Sequence, residues 1–118
     1  KNPSQLSISI HLKNSLDALN SAVAWMIETF PKQPGQAAAG ATSFLEMMGL
    51  ISGGWMLARG VIEADMQLKN KQGDKNFLNS KITTAQYFSQ AFLSRAPSLL
   101  YPITDCGDCV MEFEASNF

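Results

Sequence analysis

The sequence has 118 residues with 9 basic and 10 acidic side chains, a formal charge of −1, which is the size of one domain. With 46% hydrophobic and 16% charged residues, the composition excludes intrinsic disorder, and the charge balance excludes a strongly basic module for nucleic acid or a membrane surface. Two cysteines, Cys106 and Cys109, are too few for a disulfide framework, so a reducing cytoplasm is the expected compartment.

The chain opens on Lys1, and residues 1–9 carry neither a signal-peptide core nor an Arg-rich transit pattern, so a piece of a longer polypeptide is expected. The first long helix is predicted from Leu12, Leu16, Leu19, Val23, Met26 and Phe30, whose alternating spacings of four and three form one stripe that packs on neighbours. Pro31 and Pro34-Gly35 end it. Upstream, Leu6, Ile8, Ile10 and Leu12 alternate with the period of a strand. No second run exists to pair with them, so helix is favoured there too.

The second helix is predicted from the alanines after Gly35 to about Asn70, with Phe44, Met48, Ile51, Trp55, Ala58 and Ile62 as its inner stripe. Met47 to Ala58, flanked by Glu46 and Arg59, is apolar on nearly every face. At twelve residues it is short of the roughly twenty that span a membrane, so no transmembrane segment is expected and more than one partner should cover it. Gly49, Gly53, Gly54 and Gly60 suit close helix approach.

Lys69 to Lys75 forms a polar turn, after which Asp74 or Asn76 is placed to cap a third helix carrying Leu78, Ile82, Ala85, Phe88, Phe92, Ala96 and Leu99. Pro97, lacking a backbone donor, should kink or break it. After Pro102 a last short helix starts near Thr104-Asp105, with Cys106, Cys109 or Val110, and Phe113 inward. The predicted architecture is all-α: an antiparallel helical bundle of three long helices plus a short C-terminal helix, one domain over 1–118.

Motifs that carry chemistry are sparse. Cys106-Gly-Asp-Cys109 has the spacing of half a zinc site or a dithiol, but His11 is the sole imidazole, and two small buried core residues are the preferred reading. His11 has no sequence-level partner and reads as a surface or cap residue. For Arg59, an ion pair with Asp108 or Asp17 is preferred over an anion-binding role. Lys69, Lys71, Lys75 and Lys81 read as a solvated turn, and Trp25, Trp55, Tyr87, Phe88 and Phe92 as core. No catalytic, cofactor-binding or metal-binding residue is assigned, and no Gly-rich phosphate loop joins a strand to a helix.

Gly54-Trp55-Met56-Leu57-Ala58-Arg59, then Asp74, Phe77-Leu-Asn-Ser-Lys81 and Thr84-Ala85-Gln-Tyr87-Phe88, then Gly107-Asp108-Cys-Val-Met111 resemble the C-terminal helical domain of the acyl-CoA dehydrogenase family. The branch resembled includes enzymes similar to 3-methylmercaptopropionyl-CoA dehydrogenase, and the likeness covers about 41–111. It implies a much longer parent that binds FAD and acyl-CoA. In that parent a core glutamate takes the proton α to the thioester while hydride leaves the β-carbon for the flavin, giving a trans-2-enoyl-CoA. None of the core signatures falls on this chain, which by the resemblance is an appended, non-catalytic bundle packing on the catalytic core and on a second subunit. Trp55, Arg59, Lys81, Tyr87, Phe88 and Asp108 are the positions implied as architectural, with Trp55 beside Arg59 and Lys81 beside the Tyr87–Phe88 pair. The sequence departs from the family pattern at Ser94, where a proline is usual, and at Cys106 and Cys109, where small residues stand.

A competing expectation from another class is a stand-alone helical module that binds a partner helix or an apolar ligand, with Met47, Met48, Met56 and Met66 as an adaptable surface.

Overall fold

A computed structural model describes the backbone of residues 3–113 and the side chains from residue 5 onward. Three long helices run up, down and up: α1 (Pro3–Thr29), α3 (Ala41–Lys69) and α4 (Lys75–Ala91). A short helix α2 (Pro34–Ala39) precedes α3, and a 3₁₀ segment (Leu93–Leu99) followed by α5 (Leu100–Thr104) and α6 (Gly107–Met111) completes the chain. Among the described residues there is no strand, so the all-α bundle holds. The strand-like alternation at Leu6 to Leu12 lies wholly within α1, where Ile8 is buried while Leu6 and Ile10 are exposed.

Each boundary has a local cause. Asp74 caps α4 by accepting from the backbone N–H groups of Asn76, at 2.9 Å, and Phe77, at 3.4 Å, which satisfies donors that no helical carbonyl reaches. The turn before it needs two left-handed residues, Lys71 at φ 56° and Gly73 at φ 72°. The second predicted helix is divided at Gly40, a difference from the sequence reading. A Cβ at Gly40 would stand 2.6 Å from the Ile103 carbonyl oxygen, so the chain turns there with its backbone against α5. The third helix ends at Ala91, earlier than its apolar spacing suggested. Pro97 has no N–H with which to continue the four-residue bonding of α4, so the chain tightens to the 3₁₀ pattern over Leu93–Leu99, and the Ser15 hydroxyl donates to the Leu93 carbonyl across the bundle at 3.2 Å.

The core has two parts. Ala18, Ala22, Met47, Ile51, Leu93, Ala96 and Ile103 form the larger, joined by half-buried Trp25, Phe44 and Phe88 among others. Ile8, Val61 and Ala85 form the smaller, nearer the α1 N-terminus. On α1 the most deeply buried ridge includes the small residues Ser15, Ala18 and Ala22, which let the helices approach closely, and Leu12, Leu19 and Met26 pack beside it on the core as predicted. Its larger neighbours Leu16, Val23 and Phe30, predicted to face inward, are exposed. On α3 the buried side is Met47, Ile51, Gly54, Val61 and Ala64, so Met48, Trp55 and Ile62 lie on the outer side instead.

The shape explains the discrepancy. The molecule is elongated, 64 × 29 × 18 Å, with a radius of gyration of 18.6 Å against the roughly 13–14 Å of a compact domain of this length. The three long helices α1, α3 and α4 pack against one another pairwise, so each turns one side to its neighbours and leaves the other in water.

Candidate functional site

The feature that stands out is a surface formed jointly by α1 and α3. The two helices are antiparallel, tied at one end by a hydrogen bond from the Gln5 side-chain amide to the Asp65 carboxylate. Between them runs a shallow groove in two stretches that share Leu12. One is bounded by Gln5, Ile8 and Ser9 facing Ala58, Val61 and Ile62, the other by Leu16 facing Ile51, Ser52 and Trp55. The first stretch holds about 230 Å³ and the second about 320 Å³, at the low end of the roughly 300–1,000 Å³ of small-molecule sites.

Along α3 the outward ridge reads Met48, Ser52, Trp55, Arg59, Ile62 and Met66, again spaced four and three, as in a seam that receives another helix. Trp55 is 50% exposed and Ile62 56%. Alongside, α1 contributes Ser9, Leu16, Val23 and Ile27, the last 70% exposed. On the α3 row Arg59 is the one charge, and its guanidinium lies 5.1 Å from the centre of the Trp55 ring; on the α1 row Lys13 falls between Ser9 and Leu16 and pairs with Asp17. Such stacking fixes a cation over an aromatic face.

The ion pair expected between Arg59 and Asp108 does not form, nor does one between Arg59 and Asp17. Arg59 stacks on Trp55, Asp108 accepts from the Gln36 side-chain amide on α2, and Asp17 pairs with Lys13 at 3.0 Å. The bundle places the Arg59 and Asp108 side chains on different helices, α3 and α6, each with its own partner. Lys81 sits 5.6 Å from the Phe77 ring centre rather than beside Tyr87 and Phe88. Tyr87 projects outward from α4, edge-on to Phe92 at 6.0 Å, while Phe88 turns inward, where Gly53 on α3 leaves room for its ring. Of the five aromatic residues read as core, Trp25 and Phe88 pack against it and Trp55, Tyr87 and Phe92 are exposed.

Cys106 and Cys109 are free thiols and both exposed, against the expectation that they are buried. Cys106 precedes α6 and the buried residue of the motif is Gly107, whose Cα packs against Gln36 because a Cβ there would stand 3.2 Å from the Gln36 Cβ. Val110 and Phe113 are likewise exposed. Among the described residues, no group of three or more His, Cys, Asp or Glu side chains is arranged to hold a metal ion, and no helix is long and apolar enough to cross a membrane. Of the lysine cluster, Lys71 and Lys75 border one groove with Leu68 and Asn79, and Lys81 lies further along α4.

Comparison with known proteins points one way. A family described as acetyl-CoA dehydrogenase C-terminal like matches residues 7–114. The 3-methylmercaptopropionyl-CoA dehydrogenase of Ruegeria pomeroyi is 32% identical over 104 residues, covering 88% of this chain and 18% of the relative. The chain thus spans under a fifth of the length of the curated relative it matches. No solved structure matches.

Proposed function

The chain belongs to the acetyl-CoA dehydrogenase C-terminal-like family, and from that membership we propose that it is the C-terminal structural and assembly domain of a longer, FAD-dependent acyl-CoA dehydrogenase. The parent oxidises acyl-CoA thioesters to trans-2-enoyl-CoA, chemistry seated in residues outside this chain. The observation that carries the reading is the match of nearly the whole chain to under a fifth of a dehydrogenase, together with a surface shaped for contact. Trp55, on the outer face of α3, and Tyr87, on α4, are both exposed and do not share a cavity, since Trp55 lines the groove between α1 and α3 and Tyr87 does not; the flavin is assigned to the rest of the parent.

A stand-alone helix-binding module is the rival reading. Of the methionines it invokes, Met47 is fully buried while Met48, Met56 and Met66 are exposed, so half-exposed apolar surface is common to both. The absorbance spectrum of the full-length parent, before and after anaerobic addition of acyl-CoA thioesters including 3-methylmercaptopropionyl-CoA, separates them. A flavin band that bleaches is expected. A colourless parent, or one whose flavin no acyl-CoA reduces, overturns the dehydrogenase reading.

A further inference from the structure

We propose that the α1/α3 surface is the seat of the rest of the parent polypeptide, which lays an apolar helix along the groove and sets a carboxylate against Arg59. The inference rests on the domain reading above and names the contact that reading needs. Three observations carry it. The two rows combine large exposed apolar side chains on adjacent helices, including Leu16, Val23 and Ile27 on α1 and Trp55, Ile62 and Met66 on α3. Such a continuous patch marks an interaction surface in a way that isolated apolar residues do not. On α1, Leu12, Leu19, Trp25 and Met26 already serve the core, which leaves Leu16, Val23 and Ile27 as a second apolar row that this chain does not cover. Finally, the chain matches 18% of a relative, so more than four-fifths of a homologous polypeptide stands ready as the occupant, tethered to this domain and present at high effective concentration.

The spacing defines what fits. A groove between two antiparallel helices, with side chains offered at steps of three and four, receives a third helix whose apolar residues recur at the same steps. Trp55 is the natural anchor, since a large aromatic side chain at the centre of a water-excluding ring dominates such contacts. Arg59, the one charge on the α3 row, is held on the Trp55 ring at 5.1 Å, where its guanidinium N–H groups can donate to a carboxylate in bidentate fashion; Lys13 on the α1 row already has Asp17. That pairing sets the register of the incoming helix.

The test uses the full-length parent with Cys106→Ser and Cys109→Ser, and a single new thiol at Ile27→Cys, Ile62→Cys or Tyr87→Cys. All three sites are exposed in the bundle, but Tyr87 lies on α4, outside the two rows, and lines neither stretch of the groove. Maleimide labelling, followed peptide by peptide in native and guanidinium-unfolded parent, should be slowed about tenfold or more at Ile27→Cys and Ile62→Cys, and within about threefold of the unfolded rate at Tyr87→Cys. Equal labelling at all three sites, or equal protection, overturns the proposal. A benzophenone maleimide at Ile62→Cys should then crosslink to a peptide outside these 118 residues, whereas a crosslink to a second copy of the domain overturns the assigned occupant. The flavin spectrum separates this from the function: a parent that bleaches with acyl-CoA yet labels freely at Ile62→Cys overturns the surface and leaves the dehydrogenase reading intact.

Discussion

Two serines show how much the setting of one hydroxyl matters. Ser15 is fully buried and donates to its own helix at the His11 carbonyl, at 2.7 Å, and to the Leu93 carbonyl. The second contact ties α1 to the first residue of the 3₁₀ segment. Ser89 is as deeply buried, but its hydroxyl has no partner. Truncating the first removes a buried hydrogen-bonded group that links two elements; truncating the second removes a buried polar group that no bond offsets. Ser15→Ala should therefore lower stability by about 1–3 kcal/mol and Ser89→Ala leave it unchanged or raise it by about 1 kcal/mol, read as opposite shifts of the urea midpoint. At the surface, Arg59 has a ring for a partner and no carboxylate. Arg59→Met in the isolated chain should cost no more than about 1 kcal/mol; a loss of several would reinstate a buried ion pair.

At the scale of elements, the ends of helices decide the layout. The Asp74 carboxylate satisfies two backbone donors of α4, and Asp74→Ala should cost about 1 kcal/mol, seen as a lower thermal midpoint. The break between α2 and α3 has a steric cause, because Gly40 is where α5 comes closest. Gly40→Ala should destabilise by about 1–3 kcal/mol, although alanine raises helix propensity. A stabilised variant would mean that the α2–α3 junction is set by propensity and that contact with Ile103 is incidental.

For the molecule as a whole, position in the bundle outweighs residue type. Met47 and Met48 are neighbours in sequence, yet Met47 is fully buried and Met48 is 39% exposed. Met47→Ala should cost about 2–5 kcal/mol, whereas Met48→Ala should stay within about 0.5 kcal/mol in the chain alone. In the parent, covering of the α1/α3 surface would raise the second cost by adding lost contacts. Denaturant titration of both variants in both settings checks the pair.

Much of this was legible in the chain itself. Helical periodicity, the proline and glycine breaks, the Asp74 cap and the disruption at Pro97 follow from local chemistry that acts within one or two turns, and so they could be read in order along the sequence. The family could be read as well, from short segments around Trp55, Tyr87 and Asp108. Which members of each stripe face inward could not. Of the predicted stripes, Leu12, Leu19 and Met26 on α1 and Phe44, Ile51 and Ala58 on α3 pack against the core, while Leu16, Val23, Phe30, Met48, Trp55 and Ile62 are exposed, and periodicity alone cannot rank two adjoining apolar ridges of one helix. Tertiary packing ranks them: the close approach of the helices places Ser15, Ala18, Ala22 and Gly54 at the crossings, which rotates part of each stripe outward. The partners of Arg59 and Asp108, and the exposure of Cys106 and Cys109, were likewise decided by where α6 docks, a long-range arrangement with no signature in residue spacing.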